Sequence, residues 1–553
     1  MAFFSLFSRH VILLLIVACV ILLPGLFASH PVDRDEPRYA QASKQMLESG
    51  DLVDIRFQDE PRYKKPIGVY WLQAGTVWLG EHIGFSQARM TIGMYRLPSF
   101  AAALGVVILT FWFGASLLGT LSGFLGALFL LGMGIFAIEA RLATTDMLLT
   151  LGTLMALIPL GRVYIHPLRK VQLWDFFLFW GGLAFGILIK GPMILLVVGL
   201  CVLTLACKER SFLFLRNLCP LRGVLFLGAC IAPWFIAIGV RSGGAFFAQS
   251  LGTDMGQKIL HGMESHGAPP GTYLLLAPFI LGPCWVFFIL SLRTIAHSRH
   301  ERAITFLLAW LIPSWLVFEA IPTKLPHYIL PLAPGLSLLT AWALCQPMVG
   351  LPWGRVKKSL GVLFLGGIPC FMVAAILLGT ATLGGGMSWM AWALLGVTLL
   401  LMAVGVIQVW RGALFQGSWP SVAAASLLCF TFFGFIQPTW TSLHLSQRIV
   451  ARTQDMARHA PLDSCSFITR AVVGYGEPSL IFLGGKDLIL TMPEGAADML
   501  SRLPCTIVMV EGQKLPEFQQ ALLERNSVKQ VQDGPVRGFN FGKGRFVELY
   551  FFS

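Results

Sequence analysis

The chain has 553 residues, of which 56% are hydrophobic and 12% are charged, and its formal net charge is +13 at pH 7. Soluble domains carry about 25% charged residues, so this composition excludes a soluble globular protein and indicates a polytopic membrane protein. The basic residues are spread over short loops between apolar runs and form no basic stripe, so no nucleic acid is expected as a partner.

Thirteen apolar segments are long enough to cross a bilayer, for which an α-helix needs roughly 17–25 residues. Alternate loops between them are positively charged, for example 208–222, and are expected in the cytoplasm together with the N-terminus. The sequence therefore predicts an all-α domain over residues 1–440, embedded in membrane lipids, whose other loops face outward. The predicted segments lie near 10–28, 93–114, 117–138, 143–161, 173–189, 191–207, 222–241, 271–292, 302–320, 326–344, 360–380, 388–410 and 419–438.

The first outward loop, residues 29–92, is too long and too patterned for a plain connector. Pro37 suits the first turn of a helix and Gly50 suits its end. A second helix is expected from Pro66, because apolar residues recur after it at helical spacing. Aromatic residues on that face favour a position in the membrane interface; the apolar positions are Ile67, Tyr70, Trp71, Ala74, Val77 and Trp78.

Carboxylates occur at the outward ends of two predicted helices. Asp33, Asp35 and Glu36 directly follow the first segment, and Asp146 begins a later one. A general base has to be an ionised carboxylate close to a nucleophilic hydroxyl, so Asp35, Glu36 and Asp146 are the predicted catalytic residues. Helix capping accounts for these positions about as well.

Several cations on the outward side run against the charge bias of the loops and need another explanation. Arg and Lys side chains both bind phosphate through charge-assisted hydrogen bonds, so the set predicts an anionic substrate. Contact with lipid headgroups is the alternative for each single residue. The predicted phosphate-binding cations are Arg38, Arg62, Lys64, Lys65, Lys190 and Lys324.

A metal site has only weak support in the sequence. Glu264 and His266 are two candidate ligands in one outward loop, and a polar loop without metal explains them at least as well. The chain contains no Gly-rich nucleotide cradle and no Walker motif. No cofactor is therefore predicted, other than a divalent metal that these two residues could help to bind.

The C-terminal region, residues 441–553, has the composition of a soluble domain. A small α/β domain outside the membrane is predicted there. Cys465 and Cys505 begin two of the strands and are expected to form a disulfide in an oxidising compartment; two buried free thiols are the alternative. The predicted strands are 466–473, 488–491 and 506–511, the helices are 493–502 and 515–524, and a hairpin follows over 528–552.

Five stretches of the chain resemble the GT-C polyprenyl-phosphate-sugar transferases. This superfamily includes the protein O-mannosyltransferases and, more similar to this chain, the bacterial aminoarabinose transferase that modifies lipid A. The resemblance covers roughly residues 1–440. The stretches are Asp35-Glu36-Pro37-Arg38-Tyr39-Ala40, Arg62-Tyr63-Lys64-Lys65-Pro66, Ala140-Arg141-Leu142-Ala143-Thr144-Thr145-Asp146, Lys190-Gly191-Pro192 and Lys324-Leu325-Pro326-His327-Tyr328-Ile329-Leu330-Pro331.

The resemblance implies a fold of thirteen helices with an outward cavity, a polyprenyl phosphate-linked sugar donor and inversion at the anomeric carbon. It implies that Asp35 is the base that activates the acceptor and that Asp146 is a second carboxylate of the cavity. It also implies that Arg38, Lys65 and Tyr328 hold the donor phosphate, with Lys190 and Lys324 near it.

One departure from this resemblance concerns the metal. The aminoarabinose transferase has an acidic residue immediately before the lysine that corresponds to Lys65, and that acid takes part in a metal site. Here the position is Lys64, which cannot ligate a cation, so Glu264 and His266 would need other partners.

The sequence therefore predicts a glycosyltransferase of the bacterial inner membrane that uses a polyprenyl phosphate carrier and an outer-leaflet acceptor. Lipid A, another glycolipid, a polysaccharide and a protein hydroxyl all stay open as acceptors. The alternatives from other classes are a flippase for lipid-linked substrates and an inactive scaffold. Transporters place charges near mid-membrane between repeated halves, and this sequence shows no internal repeat.

Overall fold

A computed structural model describes residues 2–31, 33–168, 172–250, 252, 267–347, 355–458, 465, 467–525 and 534–553. A helix lies at each of the thirteen predicted membrane segments. The main helices up to residue 440 are Ala2–Leu22, Ile92–Leu118, Thr120–Leu131, Gly134–Glu139, Asp146–Ile165, Leu173–Lys190, Met193–Glu209, Pro220–Arg241, Thr272–Ile280, Pro283–His297, Arg302–Ala320, Ala333–Leu344, Arg355–Thr382, Trp389–Trp410 and Leu414–Thr431.

Within the described part of the chain, nine helices are long and apolar enough to cross a membrane, so this is a multi-pass membrane protein. A tenth candidate is the pair Thr272–Ile280 and Pro283–His297, which is bent by 115°. Three other predicted segments lie on shorter helical stretches, namely Ser8–Leu22, Thr120–Leu131 and Met193–Glu209.

The predicted single span over 271–292 is broken in the structure. Gly282 has a positive φ of +54°, and a Cβ there would lie 2.9 Å from the carbonyl oxygen of Gly132. Pro283 then begins the second helix. A Gly-Pro pair at close backbone contact explains the bend, because Pro cannot continue the preceding hydrogen-bond ladder.

The first loop, residues 29–92, forms the helices Asp35–Ser49 and Gly68–His82, with the short strands Arg56–Phe57 and Glu60–Pro61 between them. The first helix ends at Gly50, whose φ of 71° is left-handed as in many helix C-termini. The predicted apolar face of the second helix is divided in the structure. Its members Ile67, Tyr70, Ala74 and Val77 are buried against the protein, whereas Trp71 and Trp78 are exposed.

The C-terminal region forms the helix Leu445–Ala457 and a five-stranded sheet. Three strands are parallel. The last two form an antiparallel hairpin within the range 528–552 predicted for one. The strand order is Ile489–Leu490, Thr469–Val473, Thr506–Glu511, Arg545–Phe552 and Val536–Asn540. The helices Pro493–Arg502 and Leu515–Glu524 cover one face, and Leu445–Ala457 and Pro478–Gly484 cover the other.

Cys465 and Cys505 are joined by a disulfide in the structure, and their Cα atoms are 6.0 Å apart. The bond ties the chain just before the strand Thr469–Val473 to the chain just before the neighbouring strand Thr506–Glu511.

The C-terminal region packs directly on the first loop. The Lys44 ammonium donates to the carbonyl oxygen of Phe482 at 3.1 Å. The Gln58 amide donates to the carbonyl oxygens of Lys486 and Leu488, both at 2.8 Å. Polar side chains of the first loop thus satisfy backbone groups of the C-terminal region, which fixes the two against each other.

Candidate functional site

A cavity of about 1870 Å³ lies between the first loop, one end of the membrane helices and the C-terminal region. It exceeds the usual ~300–1,000 Å³ of small-molecule pockets, so it can accommodate more than one small substrate. Apolar and charged side chains both line it. The charged residues of the wall are Asp33, Arg34, Asp35, Glu36, Arg38, Arg62, Lys64, Lys65, Arg96, Glu139, Arg141, Asp146, Lys190, Glu477 and Lys543.

Asp35 and Arg38 face the cavity from the first turn of the helix Asp35–Ser49. The Asp35 carboxylate and the Arg38 guanidinium are 3.9 Å apart, and their side chains are 58% and 36% exposed. This is a loose, solvent-accessible pair at i, i+3 spacing. The carboxylate is therefore accessible to a substrate hydroxyl, as a general base has to be.

The Glu36 carboxylate is engaged inside the protein, an arrangement that does not favour the predicted catalytic role, which stays a prediction. Glu36 is 3% exposed, and Arg96 donates to its two oxygens at 2.7 and 2.9 Å. The backbone N–H of Ala143 donates to the same carboxylate at 2.9 Å. Arg96 also donates to the carbonyl oxygens of Leu26, Ser29 and His30. Glu36 thus anchors the start of the first loop to the membrane helices.

Arg62 and Lys65 enter the same cavity from the second half of the first loop. Arg62 is 8% exposed, and its guanidinium lies 5.2 Å from the centre of the Tyr39 ring. Among the described residues its Nε has no hydrogen-bond partner. Buried donors are nearly always satisfied, so this nitrogen is suited to bind an anionic ligand.

Asp146 forms a second polar cluster, deeper in the protein. Its side chain is 6% exposed, and the Lys190 ammonium donates to it at 2.5 Å. The His327 ring lies 3.9 Å from the Asp146 carboxylate and 3.5 Å from that of Glu139. The Lys190 ammonium is also 5.0 Å from the centre of the Tyr328 ring. The structure therefore brings together the three predicted residues Asp146, Lys190 and Tyr328.

Sequence reasoning missed Glu139 and His327 as members of this cluster. His327 lies within one of the stretches that carried the resemblance, and Glu139 directly precedes another, Ala140–Asp146. A charged residue inside an apolar protein needs a partner, and that rule applied to the acid before Ala140 could have identified Glu139. The pairing itself depends on residues 188 positions apart and could not be read from the sequence.

The structure pairs Lys324 with backbone groups, which does not favour the predicted binding of phosphate; that role stays a prediction. Its ammonium donates to the backbone carbonyl oxygens of Ala268 at 3.1 Å and Ile321 at 2.6 Å. Lys324 does not line the cavity, although its neighbours Thr323 and Leu325 do. Its charge is used to hold two chain segments together.

The predicted metal ligands Glu264 and His266 lie outside the described residues. Among the residues that the structure does describe, no group of three or more His, Cys, Asp and Glu side chains could hold a metal ion. The metal site stays a prediction.

Comparison with known proteins gives one family match and two similar relatives. Residues 7–243 match the family described as dolichyl-phosphate-mannose-protein mannosyltransferase. The undecaprenyl phosphate-alpha-4-amino-4-deoxy-L-arabinose arabinosyl transferase of Pectobacterium atrosepticum is 28% identical over 362 residues, which are 62% of this chain and 61% of that protein. The protein of the same name from Pectobacterium carotovorum is 27% identical over 385 residues, which are 67% and 65% of the two chains.

A solved structure extends the likeness to the whole chain. The crystal structure of ArnT from Cupriavidus metallidurans bound to undecaprenyl phosphate superposes with a TM-score of 0.72, covering 99% of this chain and 98% of that one at 17% identity. The chain thus has the fold of this ArnT structure and is similar in sequence to the arabinosyl transferases. The fold similarity includes the C-terminal region, whereas the sequence match spans less than two thirds of the Pectobacterium atrosepticum relative.

Proposed function

We propose that the protein transfers a sugar from a polyprenyl phosphate carrier to an acceptor in the outer leaflet of the bacterial inner membrane. The observation that carries this proposal is the composition of the cavity wall. One accessible carboxylate, Asp35, shares a single large cavity with the cations Arg38, Arg62, Lys65 and Lys190. A base and a phosphate clamp are what transfer from a phosphate leaving group requires.

Each residue has a definite part in this chemistry. Asp35 removes the proton of the acceptor hydroxyl as that oxygen attacks the anomeric carbon from the face opposite the phosphate, so the configuration is inverted. Arg38, Arg62 and Lys65 bind the phosphate that leaves with the electrons of the broken C–O bond. Their charges stabilise this leaving group, so Asp35 needs only modest basicity.

The cluster around Asp146 holds a further cation, Lys190, at the cavity wall. Asp146 holds Lys190 through a buried ion pair of 2.5 Å, and Lys190 and Tyr328 both line the cavity. We infer that Lys190 faces the donor phosphate together with Tyr328, and that Asp146 orients it. Asp146 then acts on the lysine, and the accessible Asp35 acts on the acceptor.

The names of the relatives support a choice of substrates for the first test. The curated relatives are named for an undecaprenyl phosphate-linked aminoarabinose, and the superposed ArnT structure contains undecaprenyl phosphate. Undecaprenyl phosphate-linked 4-amino-4-deoxy-L-arabinose is therefore the first donor to test, and lipid A is the first acceptor. Lys64 stands where the aminoarabinose transferase has an acidic residue, so a different donor sugar is the second to test.

The orientation belongs to the same proposal. The Lys/Arg bias of the loops places the N-terminus in the cytoplasm and residues 441–553 in the periplasm as a separate small domain. A reporter fused after residue 440 should then be periplasmic, and one fused within 208–222 should be cytoplasmic. Alkaline phosphatase activity from the second fusion alone would contradict the orientation.

The function is tested in a deletion strain by mass spectrometry of its lipids and envelope glycans. We expect the loss of one sugar from a glycolipid, restored by the wild-type gene and not by Asp35→Asn. A flippase would still work with asparagine at this position, so restoration by Asp35→Asn would favour a transporter. A strain with unchanged lipids but altered glycosylated proteins would indicate a protein O-glycosyltransferase.

A further inference from the structure

The turn before Asp35 is an unusual piece of backbone. Arg34, between Asp33 and Asp35, has φ 104° and ψ −107°. Residues other than glycine rarely adopt this conformation, and it persists only where surrounding contacts hold it. The contacts that hold this turn therefore also determine where the Asp35 carboxylate points.

The turn is anchored on both sides of Asp35. On one side, Glu36 is fixed to Arg96 in the helix Ile92–Leu118 at 2.7 Å. On the other side, the Asp33 carboxylate accepts the backbone N–H of Ser479 at 2.9 Å, 446 residues further along the chain. Asp35 thus lies between a residue tied to the membrane helices and a residue tied to the C-terminal region.

We propose that Asp33 is a positioning residue for Asp35, and that it acts by binding the backbone N–H of Ser479 in the C-terminal region. The C-terminal region then helps to position the base, because it supplies one of the two contacts that hold the turn around Asp35. This inference rests on the proposed function only for the role of Asp35; the anchoring itself is a structural claim.

The anchor on the C-terminal side is itself fixed. The Ser479 hydroxyl is 2.6 Å from that of Ser446, which is 2.9 Å from the Tyr475 hydroxyl. Ser479, Ser446 and Tyr475 are all buried. A connected, buried hydrogen-bond network of this kind is rigid, so the Ser479 N–H is a firm point of attachment.

The charges around Asp33 allow a sharp choice of variants. The pKa of Asp33 is raised to about 7, chiefly by burial and also by Glu477, although the Ser479 hydrogen bonds and Arg38 act to lower it. Tyr475 also faces it. Its charge is thus not fixed near neutral pH, but its Oδ1 accepts the Ser479 N–H in either protonation state. Asp33→Asn keeps this acceptor and removes the titration, and Asp33→Ala removes both.

The kinetic test compares these two variants in purified full-length protein, with undecaprenyl phosphate-linked aminoarabinose as donor and lipid A as acceptor. We expect Asp33→Ala to lower kcat by up to about 10²-fold, the loss typical of a misplaced catalytic group, with little change in the KM for donor. Asp33→Asn should stay within a few-fold of wild type. Equal losses in both variants would show that the Asp33 charge acts directly and would overturn the proposal.

Gln58→Ala is the matched control, because Gln58 binds the same C-terminal region through Lys486 and Leu488 but does not line the cavity. Its melting temperature should fall at least as much as that of Asp33→Ala, while its kcat stays near wild type. If Gln58→Ala lost kcat to the same degree, general loosening of the C-terminal region would explain the effect, and the proposal would be wrong.

Hydrogen–deuterium exchange tests the anchor independently of any activity. Amides of residues 34–39 should exchange faster in Asp33→Ala than in wild type, Asp33→Asn or Gln58→Ala. Unchanged exchange there in Asp33→Ala would contradict the proposal even if turnover fell. If the wild-type protein transferred no sugar but exchange rose as expected, the anchor would stand and the proposed function would fail.

Discussion

Asp35 and Asp146, two of the aspartates that line the cavity, stand in opposite environments. Asp35 is 58% exposed, and its partner Arg38 lies 3.9 Å away. Asp146 is 6% exposed and is bound by Lys190 at 2.5 Å. A carboxylate of the first kind can accept a proton from a substrate, whereas one of the second kind is already neutralised by its partner. This difference is the basis for the proposed roles, catalysis by Asp35 and the support of a cation by Asp146.

The same difference predicts how each site responds to mutation. Loss of an accessible base lowers the rate and leaves the fold intact. Loss of one partner of a buried ion pair leaves a charge without compensation, which destabilises the fold itself. Kinetic and thermal measurements on matched variants therefore separate the two roles.

The largest expected effect is kinetic and concerns Asp35→Asn. Removing the base should lower kcat by ~10²–10⁴-fold, with an unchanged melting temperature, because the side chain is largely exposed. Turnover of purified protein with the lipid-linked donor measures it. Asp59→Asn, an exposed acid in the same loop that does not line the cavity, is the control and should be as active as wild type. A lower melting temperature of Asp35→Asn would contradict the proposed difference between Asp35 and Asp146.

Asp146→Asn should instead lower stability. It leaves the Lys190 ammonium buried without its counter-charge, and such a loss typically costs about 3–5 kcal/mol. Thermal unfolding in detergent should show a clear fall in melting temperature. The double variant Asp146→Asn/Lys190→Met should recover part of it, because the buried ammonium is removed together with its partner. A single variant as stable as wild type would mean that the ion pair contributes little.

The disulfide of the C-terminal region should affect stability without affecting the cavity. The bond spans 40 residues, and the chain-entropy account gives about 3–4 kcal/mol for such a loop. The double variant Cys465→Ser/Cys505→Ser should unfold at lower temperature, while Cys207→Ser, an exposed free cysteine, should behave as wild type. Thiol labelling of unfolded, unreduced protein checks the bond, and free reaction of both cysteines would contradict it.

The smallest of these effects concerns the phosphate clamp. Arg38→Ala and Lys65→Ala should each raise the KM for donor, since a hydrogen bond to a charged group contributes about 1.5–3 kcal/mol. Donor titrations measure this. Lys324→Ala is the matched control, because Lys324 does not line the cavity and its ammonium binds backbone carbonyl oxygens; its KM for donor should not change. Unchanged values for both clamp variants would remove Arg38 and Lys65 from the clamp.

Much of the fold could be predicted because it depends on local patterns. Apolar segments of sufficient length located the membrane helices, and the strand Thr506–Glu511 and the helices Pro493–Arg502 and Leu515–Glu524 begin and end where expected. These elements have clear composition boundaries and, in the two helices, a proline in the first turn.

The rest depended on contacts between distant residues. Nothing near Glu36 in the sequence indicates that Arg96, 60 residues away, takes both of its oxygens. The sequence does not indicate a partner for Lys324, whereas in the fold its ammonium donates to two backbone carbonyl oxygens. The helix Pro478–Gly484, which carries the anchor of the Asp33 carboxylate, was not predicted. Sequence patterns gave the residue types of the site, and packing decided which of them face the cavity.

The stoichiometry of the reaction tests the proposed sugar transfer most directly. Purified wild-type protein is given donor labelled in both sugar and carrier, together with lipid A, and the products are separated. We expect one molecule of undecaprenyl phosphate to be released for each sugar attached to the acceptor, and the anomeric configuration to be inverted. Movement of intact donor across proteoliposomes without any release of undecaprenyl phosphate would contradict it.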